Sequence, residues 1–136
     1  MRTLFLALIA SAFVFQSCDT AEKPTENEYL IQGKMANAAG MTIFLDKWDN
    51  LSTATPVDTA IISNEGTFTM KKQITGRALH MLRVSQERTW IMVLEPGTQI
   101  NFEGDLNDVM KYSFTGDPAT ISLNNLIMEL GTKNQR

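Results

Sequence analysis

Short segments in which apolar and polar residues alternate recur along most of the chain, and they limit the folds open to it. In the first segment, Tyr29, Ile31 and Met35 share one face, as expected of a half-buried β-strand. The segments are residues 29–35, 41–48, the two arms of 57–73, 78–84, 89–94, 99–103 and 111–115. Eight short strands at near-regular spacing predict a mainly β fold, either an antiparallel β-sandwich or an open barrel.

Turn residues between these segments predict how the strands pair. Residues 63–66, Ser-Asn-Glu-Gly, are typical of a tight turn, so we expect residues 57–73 to form a hairpin. Residues 78–84 and 89–94 are predicted to form a second hairpin. Residues 95–98, Glu-Pro-Gly-Thr, place proline and glycine at the central positions of a type II turn, where glycine takes a positive φ freely.

The last part of the chain has helical rather than strand periodicity. Asp117 followed by Pro118 is typical of a helix start, because the carboxylate caps the first amide groups and proline suits the first turn. Gly131 is predicted to end this helix. The apolar positions at helical spacing are Leu123, Leu126, Ile127 and Leu130. We expect this single C-terminal α-helix to cover an open end or edge of the sheet, since a short helix is marginal alone in water.

The N-terminal segment is typical of an export signal. Arg2 supplies a positive start, and residues 4–15 form an apolar run that is too short to cross a bilayer as a helix. Ser17 and Cys18 follow, and then the sequence becomes polar. This resembles the lipobox of bacterial lipoproteins, in which the thiol is diacylated and the signal is cut before the cysteine. The alternative is an ordinary secreted protein in which Cys18 is incidental.

Composition bounds the remaining organisation. The chain has 136 residues, 43% hydrophobic and 20% charged, which suits one globular domain. The net charge of −3 offers no basic surface for nucleic acid. We therefore predict a lipoprotein signal peptide at 1–17, a lipidated tether at 18–28, a β-sandwich domain at 29–131 and a tail or linker at 132–136. The expected partner of an acylated Cys18 is the lipid bilayer, with palmitate among the acyl groups.

Several short motifs, taken in order, resemble the domain of unknown function 4369 family, the N-terminal β domain of many Gram-negative lipoproteins. The residues that carry the resemblance are Ile31-Gln32-Gly33-Lys34, Gly40 ahead of Ile43-Phe44-Leu45, Val57-Asp58-Thr59-Ala60, Gly66-Thr67-Phe68, Leu94-Glu95-Pro96-Gly97 with Ile100, Gly104-Asp105 and Phe114-Thr115-Gly116. Longer members of that family carry a thioredoxin-like module of the AhpC-TSA type further on, which performs thiol–disulfide exchange. Exchange needs an attacking thiolate and a resolving sulfur. This sequence has one cysteine, so it is either the N-terminal part of a longer oxidoreductase or a stand-alone accessory domain.

Few side chains suggest chemistry. His80 is the only histidine, so neither a metal site nor a catalytic triad is predicted, and we expect a surface or satisfied interior imidazole. Trp48 and Trp90 are candidate contacts for a ligand at the sheet surface. Thr20 lies in an Asp-Thr-Ala motif that resembles an O-glycosylation acceptor. The carboxylates of Glu103, Asp105 and Asp108 are interpreted as solvated turn residues.

These observations predict an extracytoplasmic module without catalysis of its own and without a cofactor. We expect it to be anchored in the cell envelope of a Gram-negative bacterium, facing the periplasm or the cell surface. Its role would be that of a spacer or a docking domain, with a thioredoxin-like domain or protein as a candidate partner. The alternative is a β-sandwich lipoprotein that binds a glycan or another small ligand.

Overall fold

A computed structural model describes residues 23–135 of the chain. It contains eight strands and one helix. In chain order these are β1 (Glu28–Ala36), β2 (Thr42–Asn50), β3 (Thr53–Ile61), β4 (Thr67–Gln73), β5 (Ala78–Ser85), β6 (Arg88–Leu94), β7 (Gln99–Asp105), β8 (Asp108–Thr115) and α1 (Pro118–Lys133). The predicted mainly β fold with one C-terminal helix is confirmed.

The strands form two four-stranded sheets that pack face to face as a sandwich. One sheet has the order β4-β1-β7-β8 and the other the order β3-β2-β5-β6. The strand pairs are antiparallel with one exception among the described residues, the parallel pairing of β1 with β7. The first strand therefore lies in the middle of its sheet, between β4 and β7.

The predicted hairpin at 57–73 is wrong. β3 pairs with β2, whereas β4 pairs with β1 in the other sheet, so the turn at residues 63–66 crosses from one sheet to the other. A tight turn has the same local chemistry whether its strands pair or separate, and the turn residues alone could not distinguish the two. The second predicted hairpin is confirmed, because β5 pairs with β6 along most of its length.

The core lies between the inner faces of the two sheets and follows the predicted alternation in most strands. Ile43 with Leu45, and Ile100 with Phe102, are buried in this way. The full buried apolar cluster is Tyr29, Ile31, Met35, Ala38, Ile43, Leu45, Ile62, Phe68, Met70, Leu82, Val84, Trp90, Met92, Leu94, Ile100, Phe102 and Phe114. Phe102 has ring contacts with Phe68, Trp90 and Phe114 at centroid distances of 6.4, 5.2 and 5.1 Å. Both sheets thus share one aromatic centre.

Strand β3 departs from the predicted alternation because it contains a bulge. Leu45 pairs with Asp58, but the next residue, Asp46, pairs with Pro56, which leaves Val57 as an extra residue. The extra residue reverses the alternation beyond it. Asp58 and Ala60 lie opposite the buried Leu45 and Ile43, and Ile61 at the end of β3 is 72% exposed.

Two local sequence signals, the turn at residues 95–98 and the helix start at Asp117, behave as predicted. Gly97 has φ +84° and the Thr98 amide donates to the Glu95 carbonyl oxygen at 3.0 Å, as a type II turn requires. The Asp117 carboxylate accepts from the Thr120 amide at 2.8 Å, and Pro118 occupies the first turn.

The predicted helix end is wrong, because α1 continues through Gly131 to Lys133. No helix within residues 23–135 combines the length and the apolar content needed to cross a membrane.

Candidate functional site

Two polar side chains hold the C-terminal helix against the sandwich. Thr120 is fully buried, and its hydroxyl accepts from the Val93 amide at 3.0 Å and donates to the carbonyl oxygen of the same residue at 3.2 Å. One turn later, the Asn124 side chain donates to the Ile91 carbonyl oxygen and accepts from the Tyr112 hydroxyl, both at 2.9 Å. Because β6 is an edge strand, these bonds satisfy backbone groups that no neighbouring strand reaches.

Three apolar side chains of the helix remain exposed. Leu126 and Leu130 are each 52% exposed and Ile127 is 38% exposed, while Met110 on the neighbouring strand β8 is 64% exposed. We call these four residues the helix face. The helix covers an edge of the sheet as expected, but the residues that it buries there are the polar Thr120 and Asn124.

An apolar groove lies beside the helix face, between the C-terminal half of α1 and the edges of β6 and β8. Its volume is about 330 Å³. Its lining residues are Thr89, Val109, Met110, Tyr112, Ile127, Met128, Gly131, Thr132 and Gln135. Exposed apolar side chains grouped around a groove are typical of a surface that another protein covers.

A second concave surface lies at the opposite edge of the sandwich, next to β3, β4 and the loop between β4 and β5. It has a volume of about 290 Å³, and we call it the cationic pocket. Its lining is Tyr29, Lys47, Val57, Lys72, Gln73, Ile74, Thr75, Gly76, Arg77, Ala78 and His80. Three of these side chains are cationic, and none of these eleven described residues is a carboxylate.

Two titratable groups of this pocket are held in their neutral forms. Burial lowers the pKa of His80, and the nearby charge of Lys47 lowers it further, against the opposing effect of the bond to Ala78. His80 Nδ1 lies 3.0 Å from the Ala78 carbonyl oxygen, which can only accept, so Nδ1 carries the proton and Nε2 is left as an acceptor. Burial, aided by a 2.9 Å hydrogen bond to Asp58, raises the pKa of Tyr29.

Comparison with known families gives one match. The sequence model of a family described as Domain of unknown function (DUF4369) matches residues 29–121. The chain belongs to this family. The matched range runs from β1 to the first turn of α1, so the helix face residues on α1 lie beyond it. Neither the curated proteins nor the solved structures include a significant match to this DUF4369 chain.

In the DUF4369 fold, neither of the two predicted ligand-contacting tryptophans is among the residues that line the two concave surfaces. Trp90 is 2% exposed, and its indole nitrogen donates to the Val109 carbonyl oxygen at 3.2 Å, so its side chain belongs to the core and leaves no surface for a ligand. Trp48 is half-buried near the end of β2. The lipidation residue Cys18 and the glycosylation residue Thr20 lie outside the described residues.

The remaining sequence candidates, Asp105 and Asp108, lie at the turn between β7 and β8 of the DUF4369 sandwich. Asp105 accepts from the Asn37 side chain at 2.8 Å and from the Asn107 amide at 3.0 Å, which makes it part of a turn. Asp108 similarly accepts from the Met110 amide. Within residues 23–135, no group of three or more His, Cys, Asp or Glu side chains lies close enough together to hold a metal ion.

The two polar residues that fix the helix and the three cations of the pocket were missed in the sequence. Thr120 and Asn124 are four positions apart, so they share one side of a helix, and this spacing was the available signal. The cationic pocket had no such signal, because Lys47, Lys72 and Arg77 lie on different elements and converge only in the folded DUF4369 domain.

Proposed function

We propose that this chain is a membrane-anchored, extracytoplasmic module that docks a thioredoxin-like domain or protein through its helix face. In this proposal an acylated Cys18 holds the module to the cell envelope, and the module contributes no catalysis of its own. The observation that carries the docking function is the exposure of Leu126, Ile127, Leu130 and Met110.

Packing against the sandwich leaves much of the apolar surface of the helix face exposed to water. Fully burying a leucine side chain contributes about 1.5–3 kcal/mol. Leu126 and Leu130 are each 52% exposed, so about half of that stabilisation is still available to a partner. The core closes without these side chains, since none of them belongs to the buried cluster. A partner that covers the helix face would therefore gain stabilisation without any rearrangement of the sandwich.

The choice of partner depends on the family resemblance and on position. Longer proteins that resemble this chain carry a thioredoxin-like module after the β domain, and α1 is the last element before residue 136. A module that followed would begin beside the helix face. Thiol–disulfide exchange needs two sulfurs, whereas the printed sequence contains one cysteine, so the partner would supply this chemistry.

The anchoring part is tested at Cys18. Wild-type and Cys18→Ser chains should be expressed in a Gram-negative host and separated into membrane and soluble fractions. We expect wild type in the membrane fraction, with a mass increase on the N-terminal peptide that matches the acyl chains, and Cys18→Ser in the soluble fraction. Equal membrane retention of both chains, or an unmodified Cys18 in the mature protein, would contradict the proposed anchor.

The docking part is tested by charge placed on the helix face. Genomic DNA beyond the Arg136 codon, or the neighbouring genes, should first be read for a thioredoxin-like module with a Cys-x-x-Cys motif. Leu126→Glu with Leu130→Glu should then abolish the contact of that thioredoxin-like module with the sandwich, measured by hydrogen exchange of α1 and β8. The matched control is Ser122→Glu with Asn125→Glu, which adds the same charge at exposed positions outside the helix face. Equal exchange in both double variants would refute docking at this surface.

A further inference from the structure

The cationic pocket has a local charge opposite to that of the whole chain. The chain carries a net charge of −3, yet Lys47, Lys72 and Arg77 line one pocket of about 290 Å³. Each cation comes from a different part of the fold: β2, β4 and the loop before β5. A concave surface with one sign of charge raises the local concentration of ions of the opposite sign.

The three cations retain donors for a ligand. The Lys72 ammonium group donates one of its three protons to the Val57 carbonyl oxygen at 2.8 Å, which leaves two for a ligand. Within residues 23–135, Lys47 has no ion-pair partner. Arg77 lies 3.8 Å from Glu95, and both side chains are well exposed, at 60% and 44%. Exposed ion pairs at this distance contribute little, so Arg77 can turn to a bound anion at small cost.

The loop between β4 and β5 adds uncharged donors to the same pocket. In the described part of the chain, the backbone amides of Thr75 and Gly76 and the Thr75 hydroxyl have no hydrogen-bond partner. A Cβ atom at Gly76 would meet no atom within 4 Å, so the backbone there borders open space. Amide groups beside cations form the kind of concave surface that binds phosphate oxygens.

We propose that the cationic pocket binds the phosphate group of a small organic phosphate. A phosphate monoester carries a charge of about −1.5 to −2 near pH 7. This charge matches three cations better than the single negative charge of a carboxylate ligand would. The pocket volume of about 290 Å³ lies at the lower end of the range for ligand sites, so the ligand is small. Val57, Ile74 and Ala78 supply apolar lining for its organic part. The Nε2 acceptor of His80 is available for a ligand hydroxyl.

Two sources share this chemistry, a soluble phosphate ester and the headgroup of a phospholipid. The pocket includes Tyr29, which lies at the start of β1 and directly after the predicted tether. A headgroup is therefore within reach if Cys18 is acylated. The phosphate site itself depends on neither the anchor nor the helix face.

The test uses the Cys18→Ser chain, which keeps every residue of the pocket and carries no acyl group. Glycerol phosphate and inorganic phosphate are titrated into labelled protein, and the resonances of Gly76, Thr75 and the His80 ring are followed by NMR. We expect saturable shifts confined to the pocket. The Lys47→Gln/Arg77→Gln variant should weaken binding about tenfold for each cation removed, because a hydrogen bond to a charged group contributes about that factor.

Two further variants separate the pocket from general charge and from folding. Lys111→Gln/Lys133→Gln removes the same charge from exposed positions elsewhere and should leave the affinity unchanged. Gly76→Phe adds a large ring at a residue that lines the pocket and where a Cβ atom meets no other atom within 4 Å, so the fold should persist while binding disappears. The proposal would be overturned if the protein showed neither saturable shifts nor vesicle binding. It would also be overturned if Lys47→Gln/Arg77→Gln and Lys111→Gln/Lys133→Gln weakened phosphate binding equally.

Vesicles distinguish the two sources. The Cys18→Ser chain is sedimented with vesicles of phosphatidylcholine alone or of phosphatidylcholine with phosphatidylglycerol. Binding to the anionic vesicles that Gly76→Phe abolishes and glycerol phosphate displaces supports the headgroup as the ligand. Saturable binding of soluble glycerol phosphate without vesicle binding supports a soluble ester. Vesicle binding that Gly76→Phe leaves intact would refute the pocket as the lipid contact.

Discussion

Replacing Asn124 by alanine should loosen the C-terminal helix from the sandwich while leaving the two sheets intact. The Asn124 side chain makes three hydrogen bonds of 2.9 Å, to the Tyr112 hydroxyl, the Ile91 carbonyl oxygen and the Thr120 carbonyl oxygen. The first two join α1 to β8 and β6, the edge strands of different sheets. Loss of this side chain therefore removes the contact that links the helix to both sheets at once.

The expected cost follows from these bonds. A hydrogen bond contributes about 0.5–1.5 kcal/mol net, and a buried partner left unsatisfied costs about 1–3 kcal/mol. Asn124 is 7% exposed, so its partners regain little water, and we expect a loss of about 2–4 kcal/mol in the free energy of unfolding. Domains of this size are stable by about 5–15 kcal/mol, so the chain should still fold. The melting temperature should fall by about 10 °C or more.

The assay combines global and local measurements. Urea unfolding measures the free energy, and native-state hydrogen exchange measures the Val93 amide, which donates to the Thr120 hydroxyl. In Asn124→Ala, exchange at Val93 should accelerate, while amides in the β2–β5 pairing should change only with global stability. Asn125→Ala is the matched control, because Asn125 is the next residue in the helix and its side chain is exposed. If Asn124→Ala costs less than about 0.5 kcal/mol, or no more than Asn125→Ala, the helix is not held by these bonds.

Three other perturbations test the sandwich itself. Gly33→Ala should destabilise the fold by about 1–3 kcal/mol, because the new methyl group would overlap the Phe68 ring, and Gly33→Ala/Phe68→Leu should recover part of this loss in urea unfolding; additive losses would contradict the packing. Asp117→Ala should cost about 0.5–2 kcal/mol by thermal unfolding, with Asp117→Asn retaining most of the stability, whereas equal losses would exclude capping. The raised pKa of Tyr29 means that its contribution to stability is fully present below about pH 10 and is lost as pH rises further, since the unfolded phenol ionises first. Stability measured from pH 8 to 11 should therefore fall less steeply in Tyr29→Phe than in wild type, and an identical slope would refute the buried neutral phenol.

Local signals in the sequence were sufficient for the elements of this fold. Alternation located the strands because the inner face of each sheet packs on one core, and the turn at residues 95–98 and the cap at Asp117 depend only on their own residues. The bulge at Val57 was not visible, because it exists only as a mismatch between the registers of β2 and β3.

Long-range pairing and the two candidate surfaces could not be predicted in this way. Nothing near the turn at residues 63–66 indicates that its two strands belong to different sheets. The helix covers a sheet edge as predicted, but its apolar spacing does not indicate that Thr120 and Asn124 face the exposed backbone of β6. Unpaired backbone groups at the edge of β6 determine which side of the helix is buried. Those groups are unpaired only in the assembled sandwich.

The central position of β1 also sets an order of events during folding. Leu30 lies opposite Gln99, so the parallel ladder cannot form until most of the chain is available for folding. The hairpins β2–β3 and β5–β6 close over short loops and can form earlier. Until β7 arrives, one side of β1 is an open edge beside fully buried residues such as Ile31. Chains truncated before β7 should therefore be prone to aggregation, and a chaperone that covers β1 would protect them.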